Sequence, residues 1–214
     1  MSIAYRILVG LLLTSSSAFS ADLGLGQGRL FLGSAQVSPS ELNTELTAQG
    51  IKNVDLNNQF GIEITFPTFE YLQLGLRYSH HLLSQDASTS GNDYKASLTQ
   101  DSMMGVARIP LVKSDVVRFD LFAGVGASKS SYTIKSASQD GKLEKDVSPI
   151  AAAGASVAVG YKKFFLFFEG GYESNKLDDL SSSGTINTNV KSIDLSGSYL
   201  LMGLMFDGIP IFSK

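Results

Sequence analysis

His80 and His81 are the only two histidines of this chain, which has no cysteine. Adjacent residues of a strand point to opposite faces, so this pair cannot close on one metal ion. Ser79 and His81 do share a face, and with Asp101 or Asp86 they raise the chemistry of a serine nucleophile, a base and an orienting acid. That chemistry needs nucleophile and base in hydrogen-bond reach. Side chains two apart on one strand stand roughly 7 Å apart along it. The surrounding Tyr78-Ser79-His80-His81-Leu82 is no G-x-S-x-G elbow, and no phosphate-cradling glycine loop occurs. We therefore expect no catalytic residue, no metal and no cofactor. Ser79 and His81 read as polar rim residues.

A second set of residues carries charge where charge is costly. Glu63, Arg77, Arg118, Asp120 and Glu169 all fall on the polar side of segments whose other side is apolar, with Arg29 a further candidate. If those segments close into a narrow barrel, the charges are trapped inside and must pair. Removing one partner then leaves the other stranded at a cost of roughly 3–5 kcal/mol. Two readings stand: a plug of ion pairs, or a gated ion path.

The elements that would hold these side chains are strands. Period-two segments run over Leu23–Ala35, Asn57–Pro67, Tyr71–Leu83, Ala96–Pro110, Val116–Ile134, Pro149–Tyr161, Phe164–Asn175 and Lys191–Phe206. In the second, Phe60, Ile62, Ile64 and Phe66 alternate with Gln59, Gly61, Glu63 and Thr65, the pattern of a half-buried strand. The connections alternate too. Pro67 to Glu70, Leu111 to Asp115 and Lys162-Lys163 are tight, whereas Ser84–Asp93 and Lys176–Val190 are long and polar. Long loops on one side and short turns on the other are the order of a transmembrane barrel. The expected fold is all-β: an eight-stranded antiparallel up-and-down transmembrane β-barrel. Leu42 and Leu46, after an S-x-x-E box at Ser38 and Glu41 with Pro39 at the first helical position, predict a short helix in the first extracellular loop, ended by Gly50.

Three strands resist a clear reading. The outward face of the first is uncertain among Gly24, Gly26 and Gly28, and Arg108 in the fourth lies either in the lumen or at the rim. The last has Asp194, Ser196 and Ser198 facing inward, then is apolar on both faces from Tyr199 to Met205, which suggests a bulge.

The first residues read as an address. Arg6, the apolar run Ile7–Leu13 and the small residues Ala18 and Ser20 form a signal peptide over 1–20, leaving 21–214 as the barrel. A net charge of −3 gives no reason to expect nucleic acid as a partner.

Four runs carry a resemblance: FGIEITF at Phe60–Phe66, LQLGLRYSH at Leu72–His80, FDLFAGVGAS at Phe119–Ser128 and FFLFFEGGY at Phe164–Tyr172. With them the chain resembles the small OmpA-like and OmpX-like outer-membrane β-barrels. The resemblance implies a bacterial outer-membrane location and contact with outer-membrane lipid and lipopolysaccharide. It also implies assembly by the barrel-assembly machinery, and it speaks to fold far more than to activity. One departure is the end, Ile211-Phe212-Ser213-Lys214, where such barrels often finish on an aromatic residue. The function expected is non-enzymatic: a barrel displaying loops for structural, adhesive or ligand contacts with an extracellular ligand or surface partner. A narrow, porin-like barrel for small hydrophobic molecules or ions comes second, and a lipid-modifying enzyme third.

Overall fold

Along the second strand Ile62 is 47% exposed while its neighbour Glu63 is 1% exposed. This is the reverse of a soluble sheet, and it repeats around the molecule. The computed structural model describes residues 26–209 apart from 49–52, 70, 90–91, 136–139 and 185–189. Its elements are β1 (Gly26–Gln36), α1 (Ser40–Ala48), β2 (Leu56–Phe69), β3 (Leu72–Thr89), β4 (Asn92–Lys113) and β5 (Val117–Lys135). They continue with β6 (Asp140–Tyr161), β7 (Phe164–Asp178), β8 (Ser181–Gly184), β9 (Ser192–Asp194) and β10 (Gly197–Ile209). Strands β1 to β7 pair in sequence order, β7 pairs with β10, and β10 returns to β1, all antiparallel. Eight strands thus close a ring, while β8 and β9 are short additions on the outer ends of β6 and β7.

Closure leaves no open edge within the ring, so backbone groups are satisfied without water. The outside carries an apolar belt that includes Leu30, Ile62, Leu76, Leu121, Val157, Leu166 and Leu204. Rings stand at its short-turn end: Phe69, Tyr71, Tyr161 and Phe164 are all exposed, as at a lipid boundary. Among the described residues no helix is long and apolar enough to cross a membrane. Crossing falls to the strands.

The structure differs from the sequence reading in the connections. Ser84–Asp93 lies largely within the β3–β4 hairpin, and β5 and β6 run on to Lys135 and from Asp140. The physical reason is a second core beyond the belt. Leu83, Ala96, Leu98, Tyr132, Ile134 and Leu143 all point inward and are buried, while the polar residues between them face water. α1 closes this core with Leu42 and Leu46, 1% and 0% exposed. The Glu41 carboxylate accepts the backbone N–H groups of Lys191 and Ser192 at 3.2 and 3.0 Å, pinning the helix to β9.

The three doubtful strands resolve simply. In β1, Leu30 and Leu32 face out while Arg29 and Phe31 face in. Arg108 is fully buried in the lumen. β10 keeps a regular register against β7 from Gly197 to Phe206, with no bulge. It is apolar on both faces because Tyr199, Leu201 and Met205 pack inside while Leu200, Met202 and Leu204 face out. Asp194 is exposed, and Ile193 and Leu195 take the inward positions instead. The signal peptide, Gly50 and the chain end at Ile211–Lys214 lie outside the described residues.

Candidate functional site: the lumen

Each of the eight ring strands sends one polar side chain into a single cluster. β1 supplies Arg29, β2 Glu63, β3 Arg77, β4 Arg108, β5 Asp120, β6 Ser156, β7 Glu169 and β10 Tyr199. Arg77 donates to Glu63 and to Glu169, both at 2.7 Å. Arg108 bonds to both oxygens of Glu63 and donates to Glu169 at 2.6 Å. Arg29 reaches Asp120 at 2.5 Å and the Ser156 hydroxyl at 3.0 Å. The Ser156 hydroxyl donates to Asp120 at 3.2 Å, and Tyr199 to Glu169 at 3.3 Å. Three guanidinium groups meet three carboxylates, so the cluster is neutral. Desolvation of so many charges is bearable only because every one is paired and hydrogen-bonded.

Aromatic rings wall the cluster. The Arg77 guanidinium lies 5.0 and 5.1 Å from the Phe31 and Phe122 ring centres, and Arg108 takes Phe122 at 4.7 Å. Arg29 sits over Phe167 at 5.2 Å. These are cation–π distances. The rings find room because glycines stand beside them. A Cβ on Gly61 would come within 2.6 Å of Phe31, and one on Gly203 within 2.9 Å of Phe167.

Of the five residues named from sequence, Glu63, Arg77, Asp120 and Glu169 meet here. Arg118 does not. It lies nearer the short-turn mouth, pairs with Asp207 and stacks at 4.2 Å on Phe165. The reason is register: Asp120 is one inward position further along β5, so Arg118 is left a layer below the carboxylates. Arg108 was left open by the sequence and completes the cluster. Its signal was its inward parity with Met104 and Val106 on β4, both buried.

Further toward the outer end the lumen is lined by polar groups, with the Glu173 carboxylate buried among them. Ser79, Ser102, Ser128 and Ser148 occupy consecutive partner positions on four strands, and all are buried. His81 is buried above Ser79, its Nδ1 3.2 Å from the Asn57 amide nitrogen. Asp101, the acid that would have to orient it, is on the other face of the wall. There it accepts from the Tyr78 hydroxyl at 2.5 Å and contacts His80 at 2.8 Å. Ser79 and His81 are thus split from Asp101 by the wall, and the Asp86 side chain lies outside the described residues. Among the described residues no group of three His, Cys, Asp or Glu is placed to hold a metal ion.

No family model matches the chain, and no curated protein matches it in sequence. Solved structures do share its architecture. The outer membrane protein OprG from Pseudomonas aeruginosa is 14% identical, with 88% of this chain and 97% of that chain covered and a TM-score of 0.54. Ail, the attachment invasion locus protein of Yersinia pestis, in its complex with the heparin analogue sucrose octasulfate, is 15% identical. That match covers 85% of this chain and 99% of the other, with a TM-score of 0.50. In fold, the chain is an eight-stranded antiparallel β-barrel similar to these small outer-membrane barrels. The apolar belt is the surface of a barrel that lies in a membrane, and the barrels it resembles are outer-membrane proteins.

Proposed function

We propose that the protein is a non-enzymatic, closed outer-membrane barrel that works through what it displays outside the membrane. The observation that carries this reading is the neutral cluster of Arg29, Arg77, Arg108, Glu63, Asp120 and Glu169, which with Ser156 and Tyr199 takes one side chain from every ring strand. Eight strands enclose a space just wide enough for side chains, and here charged side chains occupy it in mutual contact. The outer hairpins with their own apolar core, lidded by α1, support a platform for adhesive or ligand contact. A heparin analogue was bound by the Ail protein of similar fold, in keeping with a role toward an extracellular ligand or surface partner. In this reading residues 1–20 are a cleaved signal peptide, lipid and lipopolysaccharide contact the belt, and the barrel-assembly machinery inserts it. The transport reading ranks second because the cluster blocks the axis. The lipid-modifying reading ranks third because Asp101 lies on the opposite face of the wall from Ser79 and His81.

Planar bilayer recording of the purified mature chain tests the proposal. Conductance should be small or absent. A large, steady, weakly selective conductance would overturn the plug and put transport ahead of display.

A further inference from the structure

We propose that the short-turn mouth of the barrel is a docking cup for a small soluble anion of the phosphate class. A cavity of about 290 Å³ opens there, and its walls include Lys113, Arg118, Lys162 and Lys163 against Asp115 and Asp207. Asp207 is already committed: it pairs with Arg118 and accepts from the Gln27 amide at 3.0 Å. Three lysines then line the cup with one uncommitted carboxylate, the Lys162 ammonium lying 5.0 Å over the Tyr161 ring at the rim.

The lysines elsewhere behave differently. On the outer hairpins, Lys129 pairs with Asp146, Lys142 with Glu144 and Lys176 with Asp178, at 3.0, 2.6 and 3.1 Å. Among the described residues Lys113, Lys162 and Lys163 form no salt bridge. They are nevertheless held together, because backbone bonds tie the turns into one rim. Lys162 N donates to Asp115 O at 3.0 Å and Asp207 N to Lys163 O at 2.9 Å. Cations gathered around one cavity raise its positive potential, which favours an anion there.

Two details point the same way. Lys162 has φ 56°, a left-handed position that a two-residue hairpin turn ordinarily gives to Gly or Asn. A cation stands there at a conformational cost. At the floor, Arg118 is 6% exposed and its Nε has no hydrogen-bond partner. A planar guanidinium with an uncommitted donor suits phosphate oxygens.

A phosphate could belong to a lipid headgroup or to a free solute. The floor residues Gln27, Gln73 and Arg118 face the barrel axis, whereas the surrounding leaflet meets the rings of Tyr71, Tyr161 and Phe164. The cup therefore opens to solvent, and the ion-pair cluster beyond it makes it a docking site rather than an entrance.

The test uses the purified mature protein in phosphatidylcholine nanodiscs and titrates pyrophosphate by calorimetry at low ionic strength. Saturable binding that weakens with added salt is expected. Lys113→Gln combined with Lys163→Gln should weaken it by roughly tenfold or more, and Lys142→Gln on the outer hairpin should leave it unchanged. Lys162→Gly relieves the left-handed residue, so its folded barrel should persist while affinity falls severalfold. Absence of saturable binding, or equal binding by the rim variants, would overturn the proposal. A fourth arm separates the sources: nanodiscs containing phosphatidylglycerol should bind pyrophosphate as before. Loss of binding there would assign the cup to lipid and overturn the soluble ligand.

Discussion

A single guanidinium decides how the lumen is held. Arg77 bonds to two carboxylates and lies between the Phe31 and Phe122 rings, so Arg77→Ala removes a charge that Glu63 and Glu169 both use. The expected cost is roughly 3–5 kcal/mol, read as a lower urea midpoint for unfolding in lipid vesicles. Glu63→Gln keeps an acceptor for Arg77 and Arg108 and should cost less, roughly 1–3 kcal/mol. Arg118→Ala should also cost less than Arg77→Ala, because Arg118 shares one partially exposed carboxylate at the mouth. If Arg118→Ala is the most damaging of the three, the cluster is not the keystone of the lumen. Strand parity alone placed Glu63, Arg77, Asp120 and Glu169 on the inner wall. Parity does not give height, however, and height depends on the stagger between strands. Parity alone therefore sets Arg118 beside carboxylates it does not meet, and does not tell that Arg29 and Arg108 join them.

At the level of elements, the hairpins beyond the belt were hidden by their own chemistry. A strand with water on one side and a small core on the other reads as Ser, Thr, Asn and Asp broken by single apolar residues, which is also how a loop reads. Leu83, Leu98, Tyr132 and Ile134 were spaced for a strand, but nothing in the sequence said that a core awaited them. The helix was easier, since Leu42 and Leu46 stand one turn apart and both are buried. Its attachment was not: Glu41, read as half of a capping box, instead grips the N–H groups of Ser192 and Lys191. Those two donors, Ser192 first, hold the Glu41 carboxyl below the usual carboxylate range. A group whose folded pKa is depressed stabilises the fold above its ordinary value and loses that contribution as pH falls through the folded one. The latch between α1 and β9 should therefore hold at neutral pH and loosen in acid, below about pH 4. Hydrogen exchange at the Lys191 and Ser192 amides, corrected for intrinsic rates, should accelerate on acidification in the natural protein. Glu41→Gln should flatten that dependence, and an unchanged profile in the variant would mean that another group sets it.

For the whole molecule, the two ends differ so much that direction across the membrane becomes a physical question. One end has turns of a few residues, an aromatic rim and a positive cup. The other carries strands continuing past the belt, a second apolar core and a helical lid. Transmembrane barrels keep their short turns on the periplasmic side and their longer connections outside. Insertion should therefore leave the hairpins outside and the cup in the periplasm, as in other barrels of this kind. Exposed positions at each end report it. Ser182→Cys, on the fully exposed β8, should react with an impermeant thiol reagent on intact cells. Val116→Cys, 52% exposed in the β4–β5 turn, should react only after the outer membrane is permeabilised. The chain has no cysteine of its own, so the signal has no background to subtract. The opposite labelling pattern would turn the barrel over, exposing the cup to the medium and the hairpins to the periplasm. Surface display through the hairpins would then fail, even with every strand in its place.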